Sequence, residues 1–260
     1  MTTRATTAHS LTNVRLPLQP LTARAVLRTV QDPDASAGSL SRLVELDPAL
    51  SSTVLRMANS PYFGVSGRVA GARQAVVMLG VKTVGSLAVS GTASLVFSED
   101  ENVAPPGYWT HSIATAVACG LLAPFAGIPE DEALTTGLLH DIGSLVLHAG
   151  DESVTTDSIN EEVVFGADLL ARWGMPRATV NALRSLFIEP SSVSEPLAKV
   201  LVAGHCLAMT VVGDAPHEWT TSTRDAMTMI GLAPNRIDEF NSKISLEVER
   251  IAMFISGAAK

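Results

Sequence analysis

The stretch Asp47-Pro48-Ala49-Leu50-Ser51-Ser52-Thr53-Val54-Leu55-Arg56-Met57-Ala58-Asn59-Ser60-Pro61 carries its own start and stop signals. Asp47 stands where a helix N-cap belongs. Pro48 follows at the first helical position, where a missing N–H costs nothing. Leu50, Val54, Leu55 and Met57 recur at helical spacing, and Asn59-Ser60-Pro61 ends the run. The same grammar extends outward. Upstream, Leu21, Ala25, Val26 and Val30 share a face until Asp32-Pro33-Asp34 breaks it, and Ser39 reads as an N-cap before Leu40, Leu43, Val44 and Leu46. Downstream, a glycine-containing loop from Tyr62 to Gly71 leads to a helix closed by Ala75, Val76, Leu79 and Gly80. Val81 to Val96 reads as a nearly all-apolar helix, buried on most sides.

Ser98 to Gly107 joins the acidic run Glu99-Asp100-Glu101 to Pro105-Pro106-Gly107, a boundary signal. Beyond it, helical patterns cover Tyr108 to Phe125, Pro129 to His148, Asp157 to Trp173 (closed by Gly174), Pro176 to Phe187 and Glu195 to Val212. Two more lie within Thr220 to Ile255. Val76-Val77-Met78 and Val200-Leu201-Val202 sit inside longer helical patterns without hairpin signals, so they are not read as strands. The expected architecture is all-α with two helical lobes. Its parts are a loose tail at 1–15, an N-terminal lobe at 16–101, a second lobe at 102–213 and a C-terminal helical extension at 214–260.

Composition supports a packed core. Of 260 residues, 47% are apolar and 17% charged, which excludes a disordered chain. Eighteen basic residues stand against 26 acidic ones, a net charge of −8, so a global basic footprint for nucleic acid is absent. Two cysteines, Cys119 and Cys206, are too few for a disulfide framework or a four-thiolate metal site. They fit a reduced, cytoplasmic setting. The first ten residues lack the apolar core of a secretory signal, and no apolar run reads as a membrane span.

Gly137-Leu138-Leu139-His140-Asp141-Ile142-Gly143 is the sharpest chemical motif. An imidazole beside a carboxylate at a helix end suits a divalent metal that activates water for phosphoester hydrolysis, and Gly143 permits a tight turn beside the pair. His111, in Trp109-Thr110-His111-Ser112, opens the next helical pattern upstream. On such a helix a lone His is ordinarily structural, whereas with His140 and Asp141 it becomes a third ligand. Asp47, Asn59, Ser60 and Gly80 read as caps, a helix close and a small contact. His148 and His217 receive no role. The segment Asn102 to Glu161 contains no Lys or Arg, which disfavours phosphate binding there.

Taken in order, Asp47-Pro48-Ala49-Leu50, then Leu55 to Phe63, then Gln74-Ala75-Val76 with Leu79-Gly80, resemble the N-terminal signature of the HDOD family. That family is the HD-related output domain of bacterial signalling proteins. The blocks at Trp109 to Ser112, Gly137 to Gly143 and Phe165 to Pro176, with Trp173, are similar to its HD-superfamily part. The likeness spans roughly residues 14 to 212. It implies an HD-superfamily-like helical bundle for the second lobe and a regulatory, non-hydrolytic role.

On the HD ligand pattern the resemblance places His111, His140 and Asp141, and puts His205 where a distal Asp belongs. Residue His205 is either a core imidazole bonded to a carbonyl or a substitute ligand. Asp168 and Asp214 are fallback carboxylates. Glu162 and Leu186-Phe187 stand where relatives often carry histidines, which removes the usual imidazoles of a second metal. The expected function is a non-catalytic signalling module acting through protein–protein interaction, a stand-alone adaptor for a signalling partner, with no nucleic acid and no membrane. Its C-terminal extension would pack on the lobes or form a homodimer contact. No cofactor is expected, save a single divalent transition metal should the remnant site be filled. The alternative is a metal-dependent phosphohydrolase acting on a nucleotide or cyclic dinucleotide.

Overall fold

The structure is a computed structural model and describes residues 16–32, 36–63, 67–87, 104–149, 158–213 and 221–256. Among these the regular elements are helical, with no strand. The N-terminal helices are α1 (Pro20–Gln31), α2 (Ala37–Val44), α3 (Pro48–Ala58) and α4 (Ala72–Leu79). The second group is α5 (Tyr108–Ala126), α6 (Glu130–Leu139), α7 (Ile142–His148), α8 (Ile159–Arg172), α9 (Arg177–Arg184) and α10 (Pro196–Val212). Two more, α11 (Thr223–Met229) and α12 (Ile237–Ser256), follow.

Helices α1 to α4 pack on one another, while α5 packs on α6 and α10, and α8 on α7 and α9. Two helical subdomains result. One continuous apolar core runs through both, from Val26, Leu43 and Leu55 to Leu122, Leu139, Leu170 and Leu201. Helix α12 bridges them. It touches α1 on one side and α5 and α10 on the other, inserting Phe240, Ile244 and Ile251. Helix α5 is long and apolar enough to cross a membrane, but 61% of its apolar window is buried inside the protein. Its composition is that of a core helix.

Local chemistry explains the element ends. The Asp47 carboxylate accepts from the Ala49 and Leu50 amides at 2.9 and 3.0 Å, and from the Gln19 amide at 2.8 Å. It therefore caps α3 and also ties down the chain entering α1. The N-cap of α2 is Ser36, whose hydroxyl accepts from the Ser39 amide. Ser39 itself lies inside the first turn. Gly80 ends α4 with φ +80°, and a Cβ there would meet nothing within 4 Å. Its role is conformational freedom rather than a small contact. The helical residues after it, 81–87, begin with Val81, 40% exposed. That first turn is less buried than its apolar text suggests. The remainder of the Val81 to Val96 run and the 1–15 tail lie outside the described residues.

The two subdomains are joined by capping across their boundary. Thr135 Oγ1 on α6 accepts from the Ala72 amide at 2.9 Å. Asp131, one turn earlier, accepts from the Arg73 and Gln74 amides, each at 3.1 Å. Three orphan donors at the start of α4 are thus satisfied by a helix of the other subdomain. Arg56 of α3 also lies over the Trp173 ring, 5.4 Å from its centroid.

Burial gives Asp47 a pH signature. Loss of solvent pushes its carboxyl up to about 6, against the pull of three backbone amides. Between its ordinary value and pH 6 the folded chain keeps a proton that the unfolded chain has released, so this group's contribution to stability declines as pH rises. Stability of the parent protein, measured relative to Asp47→Asn by urea unfolding, is expected to fall by on the order of 2–3 kcal/mol from pH 4 to pH 7. The slope is the readout, because Asn also changes the capping bonds. A flat difference would mean that the carboxylate is solvated in the folded state.

Candidate metal centre

Helix α6 stops at Leu139 and α7 starts at Ile142, so His140 and Asp141 form the corner between them. Within the helical pattern from Pro129 to His148, the chain turns at the His-Asp pair itself, where the sequence places a helix end. Gly143 does not make that turn. It lies inside α7, where a Cβ would overlap the Glu162 carbonyl oxygen and sit 3.0 Å from the Gly166 amide of α8. Its function is close helix–helix approach.

A second small-residue crossing sets the depth of the site. A Cβ on Gly137 of α6 would meet Thr115 O at 2.8 Å and Cys119 Sγ at 2.9 Å on α5. One on Gly204 of α10 would meet the same Cys119 Sγ at 2.5 Å. Three helices therefore close on one buried cysteine. His140 follows Gly137 by three residues, His205 follows Gly204 by one, and His111 lies two turns before Cys119 on α5. The crossing brings these imidazoles together.

The His111 Nε2 and His140 Nε2 atoms are 3.1 Å apart, and His205 Nδ1 lies 3.3 Å from His140 Nε2. Ring centroids are 5.0 to 5.1 Å apart throughout. His140 and His205 are buried and His111 is half-buried. The Gly137 carbonyl accepts at 2.7 Å from His140 Nδ1. A carbonyl can only accept, so Nδ1 carries the proton and, in the neutral ring, Nε2 turns a lone pair toward its two neighbours. Burial, then the nearby His111, push the His140 pKa down to about 3, against the Gly137 carbonyl. Burial, followed by His140 and His111, holds His205 well below its ordinary value. Three ring nitrogens, one from each residue, lie within 4.8 Å of one another, an arrangement able to hold a single divalent ion.

Asp141 does not join that cluster. Among the described residues, its carboxylate is not one of the atoms gathered within that distance. It lines the same cavity of about 340 Å³ together with Glu162. Burial, then the Glu162 charge, raise the Asp141 pKa to about 7. Leu186 and Phe187 also line the cavity, as do Tyr108 and Ile159. None of the lining residues is Lys or Arg. The fallback carboxylate Asp168 faces solvent and pairs with Arg184 at 2.5 Å, while Asp214 and His217 lie outside the described residues. His148 is exposed at the end of α7. No motif marks Tyr108 or Ile159 as cavity wall. The glycines beside His140 and His205 were the available signal for the crossing, since glycine within apolar helical text marks close backbone approach.

The HDOD domain family matches residues 16–161, over half of the chain. The chain belongs to the HDOD family. The HDOD match ends before the Phe165 to Pro176 block, but the likeness in structure runs further. The MmoQ response regulator of Methylococcus capsulatus str. Bath superposes with a TM-score of 0.72 and 25% identity, over 86% of this chain and 97% of that one. A virulence factor of Campylobacter jejuni subsp. jejuni, 16% identical over 94% of this chain and 93% of its own, shares the fold with a TM-score of 0.60.

Among curated sequences, an uncharacterized protein of Treponema pallidum (strain Nichols) is 24% identical over 229 residues, 78% of this chain and 44% of that protein. A Ribonuclease Y of Thermosipho melanesiensis is 34% identical over 98 residues, 38% of this chain and 18% of that one. The chain thus spans less than half the length of these curated relatives. It is an HDOD-family signalling domain whose metal cluster is reduced to histidines, without the carboxylate of the HD ligand pattern.

Proposed function

We propose that the chain is a non-catalytic HDOD signalling module, working in the cytoplasm by contact with another protein. The observation that carries this reading is the chemistry of the cavity. Two carboxyl groups, Asp141 and Glu162, share it with three imidazoles and no cationic side chain. Phosphoester cleavage develops negative charge on the substrate and needs donors or cations aimed at it. Here the imidazole of His205 replaces an anionic ligand, and Leu186 and Phe187 occupy the wall where a second ion would need donors.

Other features support contact with a partner. A groove of about 990 Å³ runs between α2, α4, α5, α6 and α12. Val77 and Leu246, 78% and 50% exposed, are among its lining residues. Apolar surface of this kind marks interaction sites. The likeness to a response regulator adds a signalling context. The residues that carry the resemblance to the HDOD signature would then serve the scaffold: Asp47 and Pro48 start α3, Asn59 and Gly80 end helices, and Trp173 packs under Arg56.

A second reading, metal-dependent hydrolysis of a phosphodiester, draws on the converging imidazoles and on the 98-residue likeness to a Ribonuclease Y. One assay separates the two. The purified chain supplied with Mn²⁺, Ni²⁺ or Fe²⁺ is expected to show no turnover of cyclic dinucleotides, short RNA or a chromogenic phosphodiester. Turnover that disappears in His140→Ala would replace the docking reading with the hydrolytic one.

A further inference from the structure

We propose that an acidic peptide segment of the partner protein docks on an arginine-rich surface at the subdomain boundary, formed by Arg56, Arg68, Arg172 and Arg177 beside Tyr62. The inference deepens the docking reading and rests on it for one point only, that the partner is a protein.

The surface arises where two acid-free stretches of the chain meet. Residues 48–98 contain four basic side chains and no Asp or Glu, and residues 169–188 contain three and again no acid. The other 11 basic residues and all 26 acidic ones lie elsewhere. Two contacts bring the stretches together. The Arg56 guanidinium, in the last turn of α3, lies 5.4 Å from the centroid of the Trp173 ring, and Trp173 is the C-cap of α8. A Cβ on Gly67 would be 3.9 Å from the Gly174 carbonyl oxygen. Arg56 and Arg68 of the N-terminal subdomain thus meet the turn that links Arg172, the last residue of α8, to Arg177, the first of α9. Arg68, Arg172 and Arg177 are exposed and Arg56 is half-buried.

The fold does not neutralise this charge. Among the described residues none of the four arginines forms an ion pair. Asp168, one turn before Arg172, pairs with Arg184, and Asp131 accepts from the amides that start α4. The Trp173 ring holds Arg56 by its face and leaves the positive charge in place. Helix-end electrostatics accounts for Arg56 and Arg172, each in the last turn of its helix. It does not account for Arg68, in a loop, or for Arg177, at the positive end of α9, where a cation is unfavourable.

Guanidinium forks match carboxylates in planar, two-bond geometry. Tyr62, 89% exposed, stands in the loop that Asn59 closes by accepting from the Arg68 amide. Tyr and Arg are the side chains enriched at the energetic centres of protein interfaces. A short anion fits this surface better than a long one. A nucleic acid longer than the patch would run onto surface dominated by the 26 acidic residues, whereas a short acidic segment stays among the arginines.

The test titrates the full chain into a fluorescein-labelled ten-residue peptide of alternating Glu and Gly, read by fluorescence anisotropy. Saturable binding is expected at about 20 mM salt, and it should weaken steeply by about 200 mM. Arg68→Glu and Arg172→Glu, one from each subdomain and both at exposed positions, should each weaken binding at least about fivefold with the melting temperature unchanged. Tyr62→Ala should weaken it about threefold. Arg24→Glu, the same charge change on the exposed face of α1, should leave binding unchanged. No saturable binding, or binding indifferent to both Arg68→Glu and Arg172→Glu, would overturn the proposal. Tighter binding of a labelled ten-nucleotide oligouridylate to the same arginines would overturn it in favour of a nucleic acid. Failure of the peptide to bind defeats only this surface, and phosphodiester turnover defeats only the docking reading.

Discussion

Gly143→Ala is expected to destabilise the protein by about 3 kcal/mol or more, with a fall in melting temperature of roughly 6–12 °C. The obstacle is backbone. An added Cβ on α7 would overlap the Glu162 carbonyl oxygen, with the Gly166 amide 3.0 Å away. Neither can yield as a flexible side chain would. Gly166 is the reciprocal partner, since its own Cβ would lie 2.9 Å from the Gly143 amide. Relief therefore requires α7 and α8 to move apart, opening the wall that carries Asp141, Ser144, Glu162 and Val163 around the cavity. A control sharpens the result. Gly38→Ala, on the exposed face of α2 with only Ser36 Oγ within reach at 3.5 Å, should be neutral or stabilising by about 0.5–1 kcal/mol. Differential scanning calorimetry of both variants checks the pair. Equal melting temperatures would show that α7 and α8 do not touch at these glycines.

Asn59→Ala should cost about 3 kcal/mol by denaturant unfolding. Asn59 is only 2% exposed. Its Nδ2 donates to the Val69 carbonyl at 2.8 Å, and its Oδ1 accepts from the Arg68 and Val69 amides at 3.2 and 3.1 Å. Alanine leaves one carbonyl and two amides without these partners in a region mostly closed to water. The damage should spread along the chain. Residues 68–71 lead directly into α4, whose first amides are capped by Asp131 and Thr135 from the other subdomain. Faster hydrogen exchange at Ala72, Arg73 and Gln74 is therefore expected in Asn59→Ala. Asn59→Asp keeps both acceptor bonds but loses the donor, and should fall between the parent and alanine. If alanine and aspartate cost the same, the bond to the Val69 carbonyl carries the whole effect.

Much of the fold is legible in the sequence. Asp47-Pro48 marks the start of α3 and Asn59-Ser60-Pro61 its end, because caps and prolines act on the backbone within a few residues. Gly174 closes α8 in left-handed geometry, as its position after apolar text suggests. Where two candidates stand close together, the sequence does not choose between them: Ser36 and Ser39 both suit a cap, and in the structure Ser36 is the N-cap of α2 and accepts from the Ser39 amide. Gly143 reads as a turn in the sequence, which does not reveal that the α8 backbone lies against it.

The site divides in the same way. His140-Asp141 and His111 stood out by residue type, and the family resemblance pointed to His205. That three imidazoles meet with their ring nitrogens 3.1 to 3.3 Å apart along the His140 edges, while Asp141 stays outside the cluster, was decided by the crossing of α5, α6 and α10 at Cys119, Gly137 and Gly204.

Sequence alone determined that the chain is helical, where most helices begin and end, and which residues carry donor chemistry. These are short-range properties of hydrogen bonding, dihedral preference and apolar periodicity. Tertiary structure decided which donors converge, which carboxyl groups lose solvent, and how α6 caps α4. Those depend on contacts between residues far apart in the chain, fixed only when apolar faces close on a common core.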